Sequence, residues 1–147
     1  MKLNDYAKWT INTCAKLETT NDDINHMLFG MMTEVGELVD VFKKNMAYKK
    51  EIDWFNVGEE LGDLMFYIAC FCRITGLDLE DVIDRNVEKL EARYPEKFTE
   101  YRANNRDLDK ERTVLLKAKI KEGKIKPDIS KEEEEILTFL VEHSDEI

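Results

Sequence analysis

Two stretches of the 147-residue chain set acidic residues three apart inside segments that otherwise read as core-facing helices: "EVGELVD", Glu34 to Asp40, and "EELGDLM", Glu59 to Met65. Residues at i and i+3 on a helix are neighbours, about 5–6 Å apart at Cβ. Carboxylates held that close repel each other, and partial burial raises the cost. On the first helix Met27, Met31, Val35, Leu38 and Phe42 define the apolar stripe, and Glu34 and Glu37 fall along its edge with Gly30 and Val41. On the second, Val57, Leu61, Leu64, Met65 and Ile68 form the stripe. Glu60, Asp63 and Tyr67 lie on its flank, and Glu59 turns toward water. Antiparallel packing of the two helices would bring Glu34, Glu37, Glu60 and Asp63 together. Such a cluster is costly empty and favourable around a divalent cation. The bland alternative is that both pairs are edge-of-core residues whose carboxylates reach outward to solvent.

All four ligands are hard oxygens, which suits Mg²⁺, with Mn²⁺ as the alternative. A di-iron bundle would require Glu-x-x-His on two helices, and neither His26 nor His143 completes that motif. Zinc would require His or Cys ligands at suitable spacing, and there is no EF-hand loop. Cys70 and Cys72 could be written as a CxC metal pair, but side chains two apart on a helix diverge.

Downstream, "NVEKLEARYPEKF" places Asn86, Lys89 and Arg93 at i, i+3 and i+7 of one helix face. Lysine supplies a point charge, and arginine a planar fork that matches phosphate oxygens. Acidic ligands, a divalent cation and basic phosphate clamps are the parts that a nucleoside triphosphate site needs. The competing reading is a row of exposed helix charges paired with Glu88 and Glu91.

The elements that must position these groups are helical. Helical periodicity runs from Asp5 to Leu17, and "ETTNDD" reads as a loop. A long helix is expected from about Ile24 to Asn45, broken by "MAYKKEID". Asp53 is an N-cap for a third helix that runs to about Thr75, and Gly76 is its C′ stop. Asp78 caps a fourth helix that continues to about Tyr94, and Pro95 ends it. No segment alternates with period two for long enough to make a strand. The expectation is an all-α domain in which helices two, three and four form a bundle. Beyond Phe98, "NNRDLDKERTVLLKAKI" reads as helical, "KEGKIKPD" as a basic link, and "SKEEEEILTFLVEH" as a Ser130-capped helix with a solvated acidic first turn.

The whole-chain composition bounds the function. Hydrophobic residues make up 43% and charged residues 37%, which suits a globular domain with a core. A formal net charge of −10 argues against nucleic acid or anionic membrane as partner. The odd set of Cys14, Cys70 and Cys72 reads as reduced, packed thiols. "MKLNDYAKWT" lacks the apolar core of a signal peptide, and the longest apolar run, "LMFYIACF", is too short to span a bilayer. These features predict a cytoplasmic protein.

"EVGEL", a spacer, "EELGDL" and then "NVEKLEARYP" together resemble the MazG-type all-α nucleoside triphosphate pyrophosphohydrolases, whose signature is ExxE followed by ExxD. The resemblance covers roughly residues 25–98 and extends through "NRDLDKER", which looks like the end of the small single-domain form also found in phages. It implies a catalytic domain over residues 1–112 and a helical C-terminal extension over 113–147. It also implies Mg²⁺-dependent cleavage between the α and β phosphates of a (deoxy)nucleoside triphosphate, giving a nucleoside monophosphate and pyrophosphate, for control of the nucleotide pool. Glu34, Glu37, Glu60 and Asp63 would bind the metal, and one of them would orient or deprotonate the attacking water. Lys89 and Arg93 would hold phosphates with Asn86 nearby, while Tyr67 and His26 would line the nucleoside pocket. For His26 a plain polar contact at the helix start, and for Tyr67 ordinary packing, are the alternatives. A homodimer or homotetramer is the implied assembly. Two other readings stand beside this one: the same fold acting on dUTP or on a signalling nucleotide such as ppGpp, and a helical interaction module that catalyses nothing.

Overall fold

The computed structural model describes residues 1–121. Helices α1 (Leu3–Trp9), α2 (Thr20–Tyr48), α3 (Trp54–Thr75), α4 (Leu79–Arg93), α5 (Glu100–Asn104) and α6 (Leu108–Lys121) follow one another, with a 3₁₀ turn at Thr10–Asn12. No strand occurs among the described residues, so the all-α expectation holds. The expected Ser130-capped helix lies outside them. The described residues divide into two compact units, the first over residues 1–82 and the second beginning at Ile83, inside α4.

Local chemistry sets most helix ends where the sequence puts them. Asp53 Oδ1 accepts from the backbone N–H groups of Phe55 and Asn56 at 3.0 and 3.2 Å and starts α3. Gly76, at φ 74°, ends it in the left-handed conformation that glycine adopts without strain. Asp78 accepts from the backbone N–H of Asp81 at 3.1 Å, and Asn4 Oδ1 accepts from Leu79 N–H at 3.2 Å, so α4 is capped from two sides.

Three boundaries differ from expectation. Helix α2 begins at Thr20, inside the stretch read as a loop. Thr19 caps it by accepting from Asp22 N–H at 3.1 Å, and Asp22 and Asp23 favour the positive end of the helix dipole. At the other end α2 continues through Met46–Tyr48 and stops at Lys49 in the left-handed region, with Asn45 donating to the Lys50 carbonyl at 2.7 Å. The first helix is shorter than its periodicity suggested. Thr10, Ile11, Asn12 and Thr13 are poor helix formers, and the Thr10 hydroxyl bonds back to the Ala7 carbonyl at 2.8 Å.

Within the first unit, α3 runs back along α2 after the link 49–53, and α1 docks on α3. Ala7, Ala69, Cys72 and Leu79 form the core, flanked by Leu3, Tyr6 and Ile68. Only part of each apolar stripe is buried. On α2 the buried residues are Met27, Gly30 and Val41, whereas Val35 and Phe42 remain exposed. On α3 they are Val57, Glu60, Ala69, Cys70 and Cys72, whereas Leu61 and Met65 remain exposed. The contact therefore takes in part of each stripe, Met27 on α2 and Val57 on α3, together with edge residues Gly30, Val41 and Glu60, while the rest of each stripe is half-buried or exposed.

The cysteines also correct the sequence reading. Cys14 and Cys70 are joined by a disulfide across 56 residues, and only Cys72 is free. The unwinding after Trp9 lets the chain turn so that Cys14 meets α3, a juxtaposition with no local signature.

In the second unit the buried carboxylate of Glu111, on α6, is clasped by two arginines. Arg93 donates from Nε and Nη2 at 2.8 and 2.6 Å. Arg106 donates from the same pair of atoms at 3.3 and 2.7 Å. Thr99 and Asp107 cap the short α5 and the α6 that follows it.

Candidate active site

Three of the four carboxylates, Glu34, Glu37 and Glu60, meet across the α2–α3 contact. Glu34 and Glu37 leave α2 one helical step apart, and Glu60 faces them from α3. Carboxylate oxygens of these three residues lie within 4.8 Å of one another. Asp63, three residues beyond Glu60, is exposed and stands outside that tightest group, but its charge acts on both Glu34 and Tyr6. Glu59 points to solvent, as helical geometry required.

The electrostatics are those of a crowded anionic site. The Glu34 carboxyl is pushed above its ordinary range, first by burial, then by the charges of Glu37 and Asp63 and by its hydrogen bond with Glu60. Glu60 is 5% exposed, which for an unpaired carboxylate would be prohibitive. Its Oε1 accepts a 2.5 Å hydrogen bond from Asn56 Nδ2, one turn earlier on α3. Oxygen donors in this number and proximity fit a hard divalent cation, and among the described residues no cysteine or histidine joins the group.

An open cavity of about 480 Å³ adjoins the cluster, lined by Glu37 and Glu60 together with Thr33, Asp40, Lys44 and Asn56. Asp40 forms ion pairs with Lys43 and Lys44, and those hydrogen bonds hold its carboxyl down at about 2. Lys44 and Asn56 were not singled out from the sequence. The only signal for Asn56 is its place four residues before Glu60.

Toward the start of α2 a larger open cavity, about 940 Å³, is lined by Lys16, Leu17, Glu18, Asn25, His26 and Phe29, among others. His26 stands edge-on to Tyr67, ring centroids 6.2 Å apart, and its Nδ1 is buried with no hydrogen-bond partner. Tyr67 in turn lies against Gly30 of α2. The structure thus brings His26 and Tyr67 together beside this cavity.

The basic row lies on α4 within the second unit. Asn86 is exposed and Lys89 half-buried. Arg93, expected to hold phosphate, is engaged by Glu111, and that ion pair keeps its guanidinium firmly charged. Glu111 lies 18 residues away and was not anticipated.

No described helix is long and apolar enough to cross a membrane. Comparison with curated proteins and with solved structures gave no match. The family model of the MazG nucleotide pyrophosphohydrolase domain matches residues 23–98, a span that contains Glu34, Glu37, Glu60, Asp63, Asn86, Lys89 and Arg93. With that match over more than half of its 147 residues, and with Glu34 and Glu37 of α2 meeting Glu60 of α3, the chain belongs to the MazG nucleotide pyrophosphohydrolase family.

Proposed function

We propose that the protein hydrolyses (deoxy)nucleoside triphosphates between the α and β phosphates, releasing a nucleoside monophosphate and pyrophosphate in a Mg²⁺-dependent reaction. The observation that carries this is the meeting of Glu34, Glu37 and Glu60 within 4.8 Å across the helix contact, with Asp63 beside them. A module without catalysis gains nothing from retaining so repulsive a group.

Glu34, Glu37, Glu60 and Asp63 are the residues that would hold the cation. A bound divalent cation neutralises phosphoryl oxygens and lowers the pKa of water at the site. The protein's own contribution is to bind, orient and accept protons. A carboxylate of the cluster accepts a hydrogen bond from the attacking water and takes up its proton. Lys89 holds a phosphate through its point charge, and Asn86 hydrogen-bonds alongside it. Arg93 would join them only by exchanging the Glu111 carboxylate for a phosphate oxygen, since its fork is filled in this structure. His26 and Tyr67, beside the 940 Å³ cavity, are assigned to the nucleoside. The biological purpose is control of the cytoplasmic nucleotide pool.

A second, exposed apolar row on α2 supports a homo-oligomer. Leu28, Met32, Val35, Val39, Phe42 and Met46 recur along one face of α2 at alternating spacings of four and three, and all are exposed. A seam of this kind matches the a/d pattern through which helices pair.

Incubating the protein with each ribo- and deoxyribonucleoside triphosphate and Mg²⁺, then assaying both phosphate products, tests the reaction. Pyrophosphate is the expected product. Orthophosphate would mean cleavage at the γ position and would contradict the assignment.

A further inference from the structure

Glu60 is the most deeply buried carboxylate of the cluster, and one of its two oxygens is already spoken for. Asn56 Nδ2 donates to Oε1 at 2.5 Å. Asn56 is itself held: it sits in the first turn of α3, and its backbone N–H is bonded to the Asp53 cap at 3.2 Å. Residues four apart on a helix are stacked neighbours, so the amide reaches the carboxylate without distorting α3. Both residues line the 480 Å³ cavity with Glu37, so the amide acts on the side of Glu60 that faces the site.

We propose that Asn56 is a positioning residue for Glu60: by occupying Oε1 it leaves Oε2 as the oxygen offered to a cation, and so tilts the site toward Mg²⁺ over Ca²⁺. The two ions differ in what they ask of a carboxylate. Ca²⁺ takes six to eight oxygens in loose geometry and accepts both oxygens of one carboxylate; Mg²⁺ demands six ligands in near-ideal octahedral order. A carboxylate pinned at one oxygen suits the second requirement and works against the first. Groups in this supporting position commonly account for 10- to 100-fold in metal affinity. The inference rests on the proposed function only in that the cluster must bind a divalent cation.

Calorimetric titration of the whole protein with Mg²⁺ and separately with Ca²⁺, without nucleotide, tests it. Asn56→Ala removes the amide, and Asn56→Leu removes the donor while keeping the size; helix content by circular dichroism reports that each folds. Both variants are expected to lose about tenfold or more in Mg²⁺ affinity and much less for Ca²⁺, so that the Mg²⁺:Ca²⁺ ratio falls about tenfold. An unchanged ratio overturns the proposal, whether both affinities stay at the wild-type value or both fall together as a merely structural role would have it. Glu60→Gln in the same titration separates this from the broader reading. If Glu60→Gln binds Mg²⁺ as tightly as wild type, the metal site itself is wrong. If it loses Mg²⁺ while the Asn56 variants keep the wild-type ratio, only the role of Asn56 is removed.

Discussion

The ring of Tyr67 on α3 lies against the backbone of Gly30 on α2, so close that a Cβ at position 30 would fall within the van der Waals envelope of the ring. This contact lets the two helices approach one turn from Glu34 and sets the Tyr67 ring in a T-shaped contact with His26. Alanine is the better helix former by about 1 kcal/mol, so propensity alone would make Gly30→Ala stabilising. Overpacking decides the sign instead: Gly30→Ala is expected to destabilise by about 1–3 kcal/mol and to reduce activity, measured by chemical denaturation and pyrophosphate release. A variant as stable as wild type would show that the ring moves aside freely.

Glu37→Gln and Asp63→Asn each remove one charge from the cluster. Both are expected to fold normally and, without metal, to melt at or above the wild-type temperature because repulsion is relieved. Activity should fall by orders of magnitude. Glu59→Gln, one residue from Glu60 but facing water, should retain wild-type turnover. Parallel melting curves and turnover assays check all three variants.

The arginine clasp makes stability depend on pH in a definite direction. Hydrogen bonds from Arg93, then from Arg106, hold the Glu111 carboxyl down at about 2, against an ordinary value of 4.5. The unfolded chain therefore takes up this proton first as pH falls. The contribution of the clasp is complete above about pH 4.5 and is lost as pH drops toward 2. Glu111→Gln should lower the melting temperature at pH 7, and the gap from wild type should close across that window. A gap that persists at pH 2 would mean that charge is not its origin.

The exposed seam on α2 predicts an assembly sensitive to a single charge. Val39 is 58% exposed in the isolated chain, so Val39→Glu costs the monomer little. In an oligomer joined through this face it buries an unpaired carboxylate. Sedimentation should show wild type as a dimer or tetramer and Val39→Glu as a monomer with intact helicity. Unaltered sedimentation of the variant would move the interface elsewhere.

The disulfide closes a loop of 56 residues and ties the segment after α1 to α3. On the chain-entropy view a bridge over such a loop contributes about 4 kcal/mol. Unfolding under oxidising and reducing conditions should differ by that order for wild type and not at all for Cys14→Ser.

Much of this protein is legible residue by residue. Asp53 and Gly76 bracket α3 because capping and left-handed backbone are local properties. The three-residue spacing within each acidic pair puts Glu34 beside Glu37, and Glu60 beside Asp63, whatever the helices pack against. Tertiary structure decided which arc of each helix faces inward. Periodicity fixes the angular order of side chains around a helix but not the arc that a partner covers, and α2 has two candidate arcs. The close approach at Gly30 and Tyr67 selects the one that carries Glu34, burying Glu60 and leaving Val35 and Phe42 outside. Pairings between distant residues escaped the sequence for the same reason. Cys14 meets Cys70, and Glu111 captures Arg93, because the folded path of the chain brings them together, and no local spacing records that path.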